Sequence, residues 1–136
     1  MVLVKILLIV MAVLAVLYLL AIMPRLGRRR VRKEFFGVYY AHRGLFDNEG
    51  DAPENSLRAF ERAAQAGYGI EMDVQLSRDG VAVVFHDFTL ERMCGIKGKV
   101  SDYTWQELEK MRLGKSDQTI PRFEEVLKAV GGAGPL

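Results

Sequence analysis

An uninterrupted run of 18 apolar residues, from Ile6 to Met23, most constrains how this 136-residue chain can fold. A helix that spans the hydrocarbon core of a bilayer needs about 20 predominantly apolar residues, and the segment Val2–Val4 extends the run at its start. The ten residues from Pro24 to Lys33 then carry six basic side chains and no acidic one. We therefore predict a transmembrane anchor over residues 1–24 and a basic juxtamembrane linker over residues 25–37.

Two other interpretations of the apolar run are less favoured. A cleaved signal peptide usually has an apolar region of about 7–15 residues that ends in a small-residue cleavage site, whereas this run is longer and ends in Leu20-Ala21-Ile22-Met23-Pro24. A buried helix of a soluble protein is disfavoured because the run lacks a polar face. The basic cluster on the C-terminal flank outweighs Lys5 and predicts a single-pass cell-membrane protein with the remainder of the chain on the cytoplasmic side.

The net charge of +2 combines two segments of opposite character. Residues 1–33 hold 7 of the 19 basic side chains and none of the 17 acidic ones, so residues 34–136 carry a net charge of −5. The basic balance belongs to the juxtamembrane segment, where it can attract anionic lipid headgroups, and nothing indicates nucleic-acid binding. Cys94 is the only cysteine, which excludes an intrachain disulfide and agrees with a reducing compartment.

Strand-like and helical patterns alternate beyond the linker and predict an α/β architecture. The predicted strands cover Val38–Ala41, Ile70–Leu76 and Val81–Phe85, and the predicted helices run from Pro53–Ser56 to Gly67, from Thr104 to Met111 and from Glu124 to Val130. Only the turn residues Ser77–Gly80 separate the second and third strands, too few for the crossover helix that parallel strands require. The third strand is a continuous apolar run, so we expect it to be buried on both faces.

Acidic and imidazole side chains lie on or just after the three predicted strands. The chain has two histidines, His42 and His86, and each follows a strand-like run and precedes a charged residue. Glu71 and Asp73 have the i, i+2 spacing that points two side chains to the same face of a strand. Oxygen ligands of this kind suit hard cations such as Mg²⁺ or Ca²⁺, and the guanidinium of Arg43 can grip phosphate oxygens. This set is suited to metal-assisted cleavage of a phosphodiester.

Glu54 and Asn55 allow a structural and a functional interpretation. Asp51 and Glu54 have the spacing of a capping box and Asn55 is a good helix cap. A carboxylate and an amide at a helix start could equally line the mouth of a site and contact metal, phosphate or a histidine. Both interpretations stay open from the residues alone.

Several motifs together carry a family resemblance. They are Ala41-His42-Arg43-Gly44, Pro53-Glu54-Asn55-Ser56, Glu71-Met72-Asp73-Val74, Asp79-Gly80, Val83-Val84-Phe85-His86-Asp87 and Ile120-Pro121-Arg122-Phe123. Through them the chain resembles the glycerophosphodiester phosphodiesterases. The resemblance implies a TIM barrel of the phospholipase C-like phosphodiesterase type, of which residues 38–136 would form the N-terminal portion, with an insertion over about 88–118. A third metal-binding glutamate is expected on the next barrel strand, which Pro135-Leu136 would approach.

The same resemblance implies roles for individual residues. His42 and His86 would be the acid–base pair, with His42 as base and His86 as acid; Arg43 and Asn55 would bind substrate; and Glu71 and Asp73, with Glu54 as a further candidate, would bind a divalent cation, Mg²⁺ or Ca²⁺. The implied reaction is metal-dependent hydrolysis of glycerophosphodiesters to glycerol 3-phosphate and an alcohol, at the membrane. The alternatives are a lysophospholipid-directed phosphodiesterase, including a phospholipase D-like toxin, and a non-catalytic, membrane-anchored interaction module made from a truncated barrel.

Overall fold

A computed structural model of the chain describes residues 2–23 and 35–136, which fall into two compact units, Met1–Phe36 and Gly37–Leu136. Helix α1, Val2–Ile22, occupies most of the first unit and buries none of its side chains. Within the described residues it is the one helix that is long and apolar enough to cross a membrane, a criterion that an N-terminal signal sequence also meets. The basic cluster of the predicted linker, residues 25–33, lies outside the described residues.

The second unit contains short strands and helices. In chain order they are β1 (Tyr40–His42), α2 (Leu57–Gln65), β2 (Gly69–Glu71), β3 (Val74–Leu76), β4 (Ala82–Val84), α3 (Glu91–Cys94), a 3₁₀ turn (Val100–Asp102), α4 (Trp105–Leu108) and α5 (Phe123–Val130). The strands are shorter than predicted. Each predicted helix is present in its predicted region, and α3 was not predicted.

β1, α2 and β2 form a parallel β-α-β unit, as the predicted alternation requires. β1 and β2 pair with Tyr40 opposite Gly69 and His42 opposite Glu71. Helix α2 begins after Ser56, whose hydroxyl accepts a hydrogen bond from the backbone N–H of Ala59 at 3.1 Å. The opposite edge of β2 is bonded to Pro135, because the N–H of Ile70 donates to the carbonyl of Pro135 at 2.9 Å. β2 is therefore flanked by backbone on both edges.

The prediction of one strand over Ile70–Leu76 is wrong, because the strand breaks at Met72-Asp73. β2 stays in the parallel sheet, while β3 forms an antiparallel hairpin with β4, with Val74 opposite Val84. The four-residue turn dictates this, since a tight turn can only return the chain antiparallel. Val74 is consequently 46% exposed rather than part of a buried face.

β4 is buried on both faces, as predicted. Val83 and Phe85 belong to a cluster with side chains of the segment 88–118, including Leu90 and Leu108. Val84 points the other way into a second cluster, whose other buried members come from α2, β2 and α5: Phe60, Ala63, Ile70, Val126 and Val130. The strand thus separates two hydrophobic cores, and His86 and Asp87 follow Phe85 just beyond its end.

The capping box predicted at Thr104 is present and opens α4. The Thr104 N–H and hydroxyl both donate to the Glu107 carboxylate, at 2.7 and 2.8 Å. Helix α4 ends at Leu108, earlier than the predicted Met111, and α5 begins at Phe123, one residue before the predicted start. Trp105 packs under the guanidinium of Arg122, 4.6 Å from the ring centre.

Candidate active site

The parallel register of β1 and β2 brings the first histidine beside the first carboxylate. His42 and Glu71 are the last residues of their strands and lie opposite each other. The distance from His42 Nε2 to Glu71 Oε2 is 3.7 Å, and their side chains are 67% and 45% exposed. Both groups are therefore open to a molecule that approaches the C-terminal ends of the strands.

Arg43 lies next to His42 in a backbone conformation that is unusual for a side-chain-bearing residue. Its φ is +63°, and its N–H donates to the carbonyl of Glu71 at 3.0 Å. Asn55 has a φ of +58° and donates its own N–H to the carbonyl of Arg43 at 3.0 Å. Such a left-handed conformation costs a residue like Arg43 of order 1–3 kcal/mol and is frequent at functional sites, whereas asparagine adopts it more readily.

The guanidinium of Arg43 joins two of the candidate site residues. Its Nη1 donates to Glu54 Oε1 at 3.0 Å, and its Nη2 lies 2.7 Å from His86 Nε2. Since a guanidinium can only donate, His86 Nε2 is the acceptor and carries no proton in this arrangement. His86 Nδ1 then carries the ring proton and donates it to Asp87 Oδ1 at 2.8 Å.

Glu54 is the buried anchor of this arrangement, with 5% of its side chain exposed. Besides the bond from Arg43, it accepts bonds from Asn48 Nδ2 at 3.1 Å and from Arg92 Nη1 at 3.2 Å. Burial on its own would raise the pKa of Glu54, but the hydrogen bonds from Arg92 and Asn48 and the charge of Arg92 lower it to about 2. The side chain is therefore an anion throughout the neutral pH range.

Sequence analysis gave no role to Arg92, which contacts two acidic side chains of the site, Asp87 and Glu54. Its Nε donates to Asp87 Oδ2 at 2.6 Å and its Nη2 to Asp87 Oδ1 at 2.8 Å. The hydrogen bonds from Arg92, followed by the one from His86, lower the pKa of Asp87 to about 2 against the effect of burial. The signal in the sequence was that Arg92 continues the family resemblance beyond His86-Asp87; its pairing with Glu54 depends on the fold.

Cys94 is not a candidate nucleophile. Burial, with a contribution from the charge of Asp87, raises the pKa of its thiol to about 11. The thiol stays protonated at neutral pH, and the thiolate is the reactive form.

A family model described as the glycerophosphoryl diester phosphodiesterase family matches residues 42–134. The chain belongs to this family. It is 45% identical over 98 residues to a glycerophosphodiester phosphodiesterase of Bacillus altitudinis and 41% identical over 98 residues to one of Caldanaerobacter subterraneus; each match covers 67% of this chain and 39% of the relative. The chain thus spans about two fifths of the length of these relatives.

Solved structures agree with this glycerophosphodiester phosphodiesterase assignment. A phosphodiesterase of Oleispira antarctica in complex with the product sn-glycerol-3-phosphate superimposes with a TM-score of 0.65 at 33% identity, covering 76% of this chain and 43% of that one. The enzyme of Thermotoga maritima gives a TM-score of 0.59 at 37% identity, covering 71% and 41%. The predicted fold class is confirmed, and the second unit of this chain is part of a TIM barrel.

Members of this family are generally dependent on a divalent metal, and the residues present offer part of a site for one. Asp73 Oδ2 is buried and has no hydrogen-bond partner among the described residues, a state that an oxygen-seeking cation would relieve. Glu71 is the other predicted ligand. Because β2 ends at Glu71, the expectation that strand alternation aligns the two carboxylates does not hold at Asp73. Residues 2–23 and 35–136 contain no group of three or more His, Cys, Asp and Glu side chains that could hold a metal ion.

Proposed function

We propose that this protein hydrolyses glycerophosphodiesters to glycerol 3-phosphate and an alcohol. The observation that carries the proposal is the convergence of Arg43, Glu54 and His86 in one hydrogen-bonded group, with His42 adjacent to Arg43 in the chain. The sn-glycerol-3-phosphate bound to the similar Oleispira antarctica protein supports this substrate class. The proposal concerns the activity of the whole protein. This chain spans about two fifths of the length of the relatives that it matches.

Arg43 is the phosphate-binding residue in this proposal. Its guanidinium presents a planar fork that matches phosphate oxygens, and 18% of its side chain is exposed. Glu54 holds one side of the fork, so we assign Glu54 to orienting Arg43 rather than to binding the cation. Asn55 Oδ1, buried and without a partner among the described residues, is a candidate acceptor for a substrate hydroxyl.

The two imidazoles move protons at different atoms. His42, exposed beside the Glu71 carboxylate, takes the proton from the glycerol hydroxyl next to the phosphate, and that oxygen attacks phosphorus to form a cyclic phosphate. His86 donates a proton to the departing alcohol from Nε2. Because Nε2 accepts a bond from Arg43 in the structure, Arg43 must turn to the phosphate before His86 can carry that proton. Water then opens the cyclic phosphate, with the two proton transfers reversed.

A divalent cation would be held by Glu71 and Asp73. When bound, it would neutralise negative charge on the phosphate oxygens. Oxygen-only ligands favour Mg²⁺ or Ca²⁺ for this role.

The membrane is the proposed location of this chemistry. Helix α1 would serve as an uncleaved single-pass anchor, and the basic residues 25–33 would keep the catalytic part on the cytoplasmic side. Such an anchor would hold the site near the leaflet that supplies lipid-derived substrates, so lysophospholipids are the second substrate class to test.

The test measures glycerol 3-phosphate release by the full chain in detergent micelles, with glycerophosphocholine or a lysophospholipid and with Mg²⁺ or Ca²⁺. Replacing His42 by Ala should lower kcat by about 10²–10⁴-fold, the usual contribution of a positioned acid or base. Glu71→Ala and a chelator should each abolish the metal-dependent rate. The matched control is Glu49→Ala, because Glu49 is 87% exposed and pairs only loosely with Lys115 at 3.7 Å.

The outcomes separate the hypotheses. Wild-type turnover that survives His42→Ala or the chelator contradicts the assigned roles. Absence of turnover with every substrate and metal, from protein whose far-UV spectrum shows it folded, favours the non-catalytic interaction module.

A further inference from the structure

Five side chains of the site form a closed ring of hydrogen bonds. Arg92 binds Asp87, Asp87 binds His86, His86 accepts from Arg43, Arg43 binds Glu54, and Glu54 accepts from Arg92. The ring joins residues that are up to 49 positions apart in sequence, from Arg43 to Arg92. We call it the five-residue ring.

Arg92 is the only member of the five-residue ring that touches both carboxylates without touching the imidazole. It donates through Nε and Nη2 to Asp87, at 2.6 and 2.8 Å, and through Nη1 and Nη2 to Glu54, at 3.2 and 2.5 Å. Each of these carboxylates is linked to one nitrogen of the His86 ring. Asp87 binds Nδ1 directly, and Glu54 binds the Arg43 guanidinium that faces Nε2. Arg92 thus acts on Nδ1 through Asp87, and on Nε2 through Glu54 and then Arg43.

We propose that Arg92 is a positioning residue that holds His86 in the tautomer with its proton on Nδ1, so that Nε2 is the atom presented to the substrate. Without Arg92, Asp87 loses two of its three donors, and its carboxylate is no longer fixed opposite Nδ1. Glu54 at the same time loses a partner that orients it toward Arg43. The role of Nε2 rests on the proposed function, whereas the control of the tautomer does not.

The geometry also explains why this position needs arginine. A planar guanidinium can bind two carboxylates at once through its several N–H groups, whereas the compact ammonium of lysine is a point charge. Arg92→Lys should therefore keep one carboxylate in place and release the other. Arg92→Gln retains some polar contact and removes the charge.

The test is the ¹⁵N spectrum of the imidazoles in the full chain in detergent micelles. Only two histidines are present, so His42 serves as the internal reference for His86. In the wild type at neutral pH, His86 should show one protonated nitrogen, Nδ1, and one unprotonated nitrogen, Nε2. In Arg92→Gln this single-tautomer signature should be lost, and Arg92→Lys should restore it in part.

A control variant outside the five-residue ring and a second Arg92 variant complete the test. Arg62→Gln removes an ion pair with Asp51, at 2.6 Å, that lies outside the five-residue ring, and it should leave both histidine spectra unchanged. If Arg92→Gln fails to fold, Arg92→Lys is judged by the same criterion. Wild-type imidazole shifts in the folded Arg92 variants overturn the proposal. No turnover enters this measurement, so a failed hydrolysis assay leaves its result standing.

Discussion

Replacing Glu54 by Gln should destabilise the second unit strongly. The effect should appear only at pH values at which the wild-type carboxylate is ionised. Glu54 is 5% exposed and lies between Arg43 and Arg92. Glutamine has nearly the shape of the protonated acid, so the substitution removes the charge and leaves the volume. Arg43 and Arg92 would then face each other without the anion between them.

The magnitude follows from the pKa of Glu54, which the fold lowers from 4.5 to about 2. One pKa unit corresponds to about 1.4 kcal/mol, and solvent around the half-exposed Arg92 screens part of the interaction, so we expect the free energy of unfolding to fall by about 2–3 kcal/mol at pH 7. Because the folded-state pKa is the lower one, this contribution is complete above about pH 4.5 and is lost as the pH falls toward 2. The difference between wild type and variant should therefore shrink over that window.

Urea unfolding of the full chain in detergent micelles provides the assay. Trp105 is the only tryptophan and is 7% exposed in the larger hydrophobic cluster, so its fluorescence reports on the second unit. The control is Glu49→Gln, which removes an exposed carboxylate and should leave the unfolding curve unchanged. The reasoning is refuted if Glu54→Gln costs no more than Glu49→Gln at pH 7, or if its effect is as large at pH 3 as at pH 7.

Two further pairs of variants test the fold by the same unfolding assay. Gly44→Ala should be far more destabilising than Gly80→Ala: both glycines have positive φ, but an added Cβ at Gly44 would meet the backbone of Ala59 at 2.8 Å, whereas at Gly80 it meets nothing within 4 Å and costs only about 1–2 kcal/mol of strain. Phe60→Ala should cost about 3–5 kcal/mol because Phe60 is fully buried, and Phe88→Ala, at a side chain that is 91% exposed, should cost almost nothing. Equal unfolding midpoints within the glycine pair would contradict the close approach of Gly44 to Ala59, and equal midpoints within the phenylalanine pair would contradict the burial of Phe60.

Local features of the fold could be predicted from the sequence where a few neighbouring residues determine them. The capping box at Thr104 and the tight turn before β4 are of this kind, because their hydrogen bonds join residues three or four positions apart. The cap of α2 is Ser56 and not the expected Asn55. The break after Glu71 could not be predicted, since it arises from two different pairing partners. β1 holds the first part of the stretch and β4 holds the second.

In the candidate site, too, the features that depend on neighbouring residues could be predicted, and those that depend on distant residues could not. The sequence indicated His42, Arg43 and His86 through their positions after strand-like runs, and the structure places Arg43 against His86. Neighbouring residues offered no means of choosing between the two roles of Glu54, because that choice depends on Arg92, 38 residues away. The catalytic and metal-binding roles themselves stay predictions.

The packing of β4 also determines whether residues 88–118 can be removed from this protein. The side chains of β4 and of Phe85, which follows it, alternate between two cores, with Val83 and Phe85 in one and Val84 in the other. A shortened variant that lacks residues 88–118 would leave the first pair facing water and would loosen the strand that carries His86 at its end. Removing this segment should therefore also remove the fixed position of the His86 imidazole.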